Sequence, residues 1–293
     1  MNKKISGRIV KGIGGFYYIK PADSDILIEA KPRGVFRHKK ITPMVGDWVK
    51  LEEDNAKSTI VEIEERKNEF VRPPVANVDL AVIVFALTNP KPNFYLLDQL
   101  LVASEIKGVE PILCFTKTDL ASEEEITKIK NHYKETGYPM LYLNSLDGTG
   151  LDELNKYLKN KTAFLAGPSG VGKSTLANRI CDNGFMETGE LSEKLKRGKH
   201  TTRHVELLEL SMGGYLLDTP GFSSFKLQNE IDKADLKHFF PEFLQGACRF
   251  TSCTHRMEPG CEVKSQVQNG TVDLERYENY KLMYEQLEKD TRR

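Results

Sequence analysis

The sequence contains no apolar run long enough to cross a bilayer. Its longest, residues 80–87, covers eight residues, against the roughly 20 that a spanning helix needs. The opening residues, Met1-Asn2-Lys3-Lys4-Ile5-Ser6-Gly7-Arg8, have no apolar signal core, so a secretory leader is not expected. Cysteine is scarce and odd in number, with five in 293 residues and three of them between 248 and 261. That excludes a secreted disulfide scaffold and leaves room for one metal site. There is no internal repeat and no low-complexity tract. There is also no net charge, because 42 Lys+Arg balance 42 Asp+Glu; only the local distribution can inform on partners. With 39% hydrophobic and 29% charged residues, a disordered or fibrous chain is excluded. The length predicts two domains or three small ones, in a soluble cytoplasmic protein.

The charge is uneven. Residues 1–50 hold eleven Lys/Arg and four acids, a local net charge of +7. Short β-rich runs recur at 5–10, 16–19, 26–30, 48–51 and 60–63, punctuated by Gly and Pro. Five short strands predict a small barrel or sandwich. Pro73-Pro74 then reads as a linker. Beyond it, the continuous apolar run 80–85 predicts a strand covered on both faces. Helical and strand patterns alternate from there: strands at 111–115, 140–143 and 163–166, helices at 126–133, 151–158 and from 173 to 180. That alternation predicts a parallel α/β sheet. From about 227 the pattern is helical, and in 273–289 Leu274, Tyr277, Tyr284 and Leu287 share one predicted face.

Gly167-Pro168-Ser169-Gly170-Val171-Gly172-Lys173-Ser174 matches a phosphate-binding loop in full. It follows a predicted strand and opens a predicted helix that continues with Thr175, as the motif requires. Glycines let backbone N–H groups curl around phosphate oxygens, and the helix N-terminus adds its dipole. Lys173 would reach the β- and γ-phosphates and Ser174 would ligate Mg²⁺. Downstream, Asp218-Thr219-Pro220-Gly221 ends another predicted strand. Asp218 would serve Mg²⁺ through water, and the Gly221 N–H would sense the γ-phosphate.

Thr116-Lys117-Thr118-Asp119 is similar to the guanine-reading NKxD motif, with Thr in place of Asn. An Asp here can accept both the N1–H and the N2 amine of guanine, a donor pair that adenine lacks. The alternative is a surface turn capping the following helix. Asn144, Ser145 and Leu146 follow the next strand, where GTPases carry a second base-contacting loop. The order is informative: the base motif precedes the phosphate loop, whereas ordinary Ras-like GTPases have the reverse. This is the order of a circularly permuted G domain, and a fold survives permutation when its original termini lie close together.

Cys248, Cys253, His255 and Cys261 offer four soft or borderline ligands within 14 residues, a set typical of structural zinc. Cys114 and Cys181 fall in predicted element interiors and are expected in the core. Lys31, Arg33, Arg37, Lys39 and Lys40 cluster around Phe36, the composition of a basic loop with an aromatic platform for RNA. A solvated charged face is the alternative.

Taken together, these motifs resemble the circularly permuted GTPases of small-ribosomal-subunit biogenesis, the RsgA/YjeQ type, over essentially the whole chain. The resemblance implies an OB-type barrel at 1–70, a permuted G domain at 71–226 and a helical zinc-binding domain at 227–293. It also implies a switch segment at 194–204, with Thr202, or alternatively Thr201, completing the Mg²⁺ shell. His200 would orient the attacking water, with His204 as the alternative, because Phe222 occupies the position of the usual glutamine. The implied partners are the small (30S) subunit, its rRNA and another assembly factor, for a chain expected to be monomeric. Guanosine alarmones are plausible regulators. The competing readings are a nucleotide-responsive RNA-binding module with incidental hydrolysis and a small-molecule kinase; a kinase needs no guanine-reading acid.

Overall fold

The computed structural model describes residues 4–38, 40–54, 57–71, 73–181, 205–218 and 230–290. The elements run β1 (Lys4–Ile13), β2 (Phe16–Pro21), β3 (Ile28–Pro32), α1 (Val35–His38), β4 (Trp48–Asp54), β5 (Lys57–Ile63), β6 (Glu69–Val71) and β7 (Pro74–Ala76). They continue with β8 (Leu80–Ala86), α2 (Phe94–Ile106), β9 (Glu110–Thr116), α3 (Glu123–Tyr133), β10 (Met140–Leu143), α4 (Leu151–Leu158), β11 (Lys161–Ala166) and α5 (Lys173–Ile180). Last come β12 (Glu206–Glu209), β13 (Gly214–Asp218), α6 (Glu262–Gln268) and α7 (Leu274–Asp290). The chain packs as two compact units. One holds the described parts of Met1–Leu80, Asn155–Phe164 and Ser174–Phe222; the other holds those of Ala81–Leu154, Leu165–Lys173 and Ser223–Arg293.

In the first unit the five expected strands close into a barrel in the order β1-β2-β3-β5-β4, with β4 pairing back onto β1. β3 and β5 are parallel and the other barrel pairs antiparallel. Ile9, Ile19, Val49, Leu51 and Ile60 fill its interior, each almost wholly buried. The strand expected at 26–30 forms two residues later, because Ile26 and Leu27 lie in an exposed turn. The Pro73-Pro74 pair is not a linker. Pro74 opens β7, which pairs with β6 in a tight hairpin, and Val75 is fully buried beside Val45. A Cβ on Gly46 would come within 2.0 Å of the Ala76 carbonyl oxygen, at a φ of +96° that favours glycine. The unit is completed by the antiparallel pair β12–β13, by β11 parallel to β13, and by β12 bridged to β1 at Lys11 and Glu206.

In the second unit β8 is buried along its whole length, as its unbroken apolar sequence requires. It neighbours β9, which pairs in parallel with β10. Asn93 caps α2 and a Ser122–Glu125 capping box opens α3. The helical core gathers Leu236, Phe240, Phe243, Tyr280 and Met283 against Val102 and Ala103 of α2. Leu274 is 60% exposed, contrary to the predicted face, because it stands at the first position of α7, beyond this core. Tyr277, Tyr284 and Leu287 are buried as expected.

One buried polar cluster pins α7 to α2. The Arg276 guanidinium donates to Asp98 at 2.6 Å and through two nitrogens to Glu242. Tyr133 and Asn279 donate to the same Asp98 carboxylate at 3.0 and 2.8 Å. Burial pushes the Asp98 carboxyl up, and these partners oppose that rise. Arg276→Ala strands two buried carboxylates, so a loss of about 3–5 kcal/mol in unfolding free energy is expected, measurable by urea denaturation. A loss below about 1 kcal/mol, the scale of an exposed ion pair, would refute the anchoring role.

Candidate nucleotide site and metal centre

The phosphate loop occupies the connection between β11 and α5. Gly167 has φ +139°, and a Cβ there would sit 2.0 Å from the Val84 carbonyl oxygen of β8. Only glycine permits that approach, which places the start of the loop directly on a core strand. Gly170 and Gly172 take positive φ in the turn itself. The Lys173 ammonium donates to the Gly167 and Pro168 carbonyls at 2.8 and 2.6 Å. Burial lowers its pKa. A phosphate would be a better partner than two neutral carbonyls, since charge-assisted hydrogen bonds are the stronger kind. Ser174 and Thr175 follow in the first turn of α5.

The base motif lies at the C-terminal end of β9. Thr116 is buried and its hydroxyl donates to the Val171 carbonyl at 2.6 Å. The residue that replaces asparagine therefore ties the base-reading turn to the phosphate loop. Lys117 takes a left-handed conformation (φ +59°), and its ammonium donates to the Gly170 carbonyl at 2.9 Å and to the Asn89 carbonyl. Its stem thus crosses from the base motif to the phosphate loop. Thr118 and Asp119 form a short 3-10 turn, and Asp119 is exposed. Because Ser122 caps α3, helix capping does not account for Asp119. Asn144 holds its own loop: its side chain accepts from Leu146 N at 3.0 Å and donates to Asp147 at 2.8 Å. Asn144 so shapes the loop that presents Ser145 and Leu146. Asp218 ends β13 opposite Glu206. The side chains of Asp218 and Arg37 lie outside the described residues, as do Lys39, His200, Thr202, His204 and Gly221.

Cys248, Cys253, His255 and Cys261 converge with all ligand atoms within 4.8 Å of one another. Cys248 Sγ lies 3.9 Å from Cys261 Sγ, and His255 Nδ1 lies 3.4 and 3.5 Å from those two sulfurs. A tetrahedral ion with ordinary zinc bond lengths requires edges of about 3.8 Å between sulfurs and about 3.5 Å from sulfur to nitrogen. The donor set therefore fits a four-coordinate metal ion. The backbone N–H groups of His255 and Glu262 point at Cys253 and Cys248 sulfur, which stabilises thiolates. Burial would raise the Glu258 carboxyl, yet hydrogen bonds from Thr254 and Arg256 bring it down to about 2. Tyr277 and Tyr280 donate to the His255 and Thr254 carbonyls at 2.6 Å each, fastening the ligand loop to α7. Cys114 and Cys181 are buried, as expected of core thiols.

On the barrel, Lys31, Arg33 and Lys40 are exposed. Phe36 is not the expected aromatic platform: it is 7% exposed and packs inward from α1. Basic neighbours in sequence do not determine which way a ring points. The Lys31 ammonium instead lies 4.2 Å from the Phe16 ring centre. The exposed aromatic of β4 is Trp48, which the sequence reading passed over.

Comparison with known proteins agrees with this geometry. The RsgA GTPase profile matches residues 63–228 and the RsgA N-terminal domain matches 6–61. The small ribosomal subunit biogenesis GTPase RsgA of Caldanaerobacter subterraneus subsp. tengcongensis is 48% identical over 295 residues, spanning 99% of each chain. Its namesake from Clostridium beijerinckii is 48% identical over 278 residues, spanning 94% of this chain and 95% of that one. The crystal structure of YjeQ from Thermotoga maritima superposes with a TM-score of 0.86 at 34% identity, covering 97% of this chain and 99% of that one. YloQ, described as a circularly permuted GTPase, gives 0.83 at 35% identity, covering 98% and 96%. With a five-stranded N-terminal barrel, a base motif ahead of its phosphate loop and homology along nearly its whole length, the chain belongs to the RsgA family of GTPases.

Proposed function

We propose that this GTPase binds the small ribosomal subunit late in its maturation, and that GTP hydrolysis releases the protein and a bound assembly factor. The observation that carries the reading is the stitching of the base motif to the phosphate loop by Thr116–Val171 and Lys117–Gly170. Those contacts make one nucleotide site from two segments in permuted order. Support for the ribosomal role comes from the relatives' name and the basic barrel.

In this reading residues 1–70 dock on RNA through Lys31, Arg33, Arg37, Lys39 and Lys40. Residues 71–226 bind nucleotide, with Gly167 to Thr175 around the phosphates and Asp119 reading guanine. Ser145 and Leu146 close on the base, held by Asn144. Lys173 turns from its two carbonyl partners to the phosphates and compensates charge that develops on the γ-phosphoryl group. Ser174, Thr202 and, through water, Asp218 would hold Mg²⁺, which would neutralise phosphate charge. His200 orients water and the Gly221 N–H senses the γ-phosphate. Residues 227–293 form the zinc-binding domain, and zinc there is structural because all four positions are protein ligands. The protein works as a cytoplasmic monomer, and guanosine alarmones would compete at the guanine site.

Phosphate release from GTP and ATP, with and without purified small subunits, tests the whole reading. A slow GTP-specific rate that rises steeply with subunits is expected; equal rates with ATP would overturn it. Lys173→Ala should lower turnover by about 10²-fold or more, the scale of losing one transition-state donor. Asp119→Asn should cost about 10- to 100-fold in GTP affinity and move preference toward xanthosine nucleotides, read by competition binding. Stripping the metal with a chelator should abolish the near-ultraviolet circular dichroism of the packed Phe243, Tyr277 and Tyr280 rings, with one zinc per chain in the untreated protein. An unchanged spectrum after complete removal would rule out a structural metal.

A further inference from the structure

Arg8 lies in the middle of β1 and is 7% exposed. Among the described residues it makes no ion pair. The nearby carboxylates are committed elsewhere, Asp47 to Arg66 and Asp79 to Lys67 and the Thr162 N–H. The guanidinium donates only to neutral acceptors: the Gly46 carbonyl at 3.2 Å, the Asn77 carbonyl at 2.9 Å and the Thr162 hydroxyl at 2.6 Å. Two rings lie against it, Trp48 at 5.5 Å and Tyr215 at 5.3 Å. These partners are ordered. Trp48 is the cross-strand neighbour of Arg8 in the barrel, and Thr162 and Tyr215 are each other's cross-strand neighbours in β11 and β13. One side chain therefore joins a pair in the barrel to a pair outside it.

Stability alone does not call for this arrangement. A buried guanidinium carries a desolvation cost that neutral acceptors repay less well than a carboxylate would. What arginine adds is reach and direction: a planar fork that bonds Thr162 of β11 through one nitrogen while its charged carbon lies within 5.5 Å of two ring centres. Trp48 is 42% exposed, so its outer side is open to a stacking base. The Thr162 carbonyl accepts from the Asp79 N–H and its N–H donates to the Asp79 carboxylate, and β11 runs from it to Gly167 in five residues.

We propose that Arg8 is a positioning residue that couples occupancy of the barrel surface at Trp48 to the phosphate loop, by way of Thr162 and β11. The inference rests on the reading that the barrel binds RNA and the loop binds guanine nucleotide. Coupling of this kind is reciprocal. A single-stranded or irregular RNA stacked on Trp48 would shift the loop, and nucleotide in the loop would alter the surroundings of Trp48.

The chain carries a single tryptophan, so the second half of that statement is directly observable. The full-length protein is titrated with GDP and with a non-hydrolysable GTP analogue, following Trp48 emission, while calorimetry on the same samples reports binding independently. GTP turnover is measured with and without small subunits for the wild type, Thr162→Val and Arg8→Met. In the wild type, Trp48 emission is expected to change as nucleotide binds. In both variants that response and the stimulation ratio should each fall about fivefold or more, the value of one hydrogen bond, with the basal rate nearly unchanged. Thr162→Val removes the same bond almost isosterically, which keeps the test decisive if Arg8→Met does not fold. Nucleotide binding with silent Trp48 emission overturns the coupling alone, as does a variant whose two rates fall together. Absence of nucleotide binding in the wild type would instead remove the GTPase reading, and this inference with it.

Discussion

The hydroxyl of Thr116, buried at the end of β9, donates to the carbonyl of Val171, and the arrangement of the proposed nucleotide site rests on that bond. Two segments 55 residues apart are held in register by it, and Lys117 repeats the tie from the exposed side at Gly170. The asparagine usual at this position also has a side-chain donor, and threonine supplies one with less reach. β9 must then lie close to the loop, and Gly167 against Val84 sets that same loop on β8. The proposed base motif and phosphate loop are thus fixed together by one small piece of rigid geometry. Permutation changes which ends of the chain are joined and leaves this geometry intact.

A different chemistry holds the helical part. The candidate metal ligands lie on a loop whose carbonyls are taken by two tyrosines of α7, and α7 is held to α2 through Arg276 and Asp98. Cys₃His cluster, aromatic core and buried ion cluster form one connected structure. Loss of any one weakens the others, so their contributions will not add.

Much of this was legible from local sequence. The unbroken apolar run of β8 predicted a strand buried on both faces, and α4 and α5 start and stop at the predicted residues. The phosphate loop and the Cys₃His set are contiguous motifs, so their geometry is largely encoded where they stand. What escaped was either a matter of orientation or of distance. Phe36 and Leu274 belong to correctly placed segments, but whether a ring or an aliphatic side chain points inward depends on what packs above it. Arg8 and Arg276 are buried cations with no local sequence mark of burial. Their partners lie 154 and 178 residues away, and no local pattern announces a pairing at that range.

That last separation has a bearing on synthesis. Asp98 emerges from the ribosome well before Arg276, and until the later residue arrives its carboxylate lacks the guanidinium that offsets its burial. The α2 helix therefore has reason to stay undocked while the intervening chain is made, and the second unit closes as a whole rather than piece by piece. A factor proposed to act on ribosomal subunits would in this way be kept from presenting a finished nucleotide domain while it is still a nascent chain.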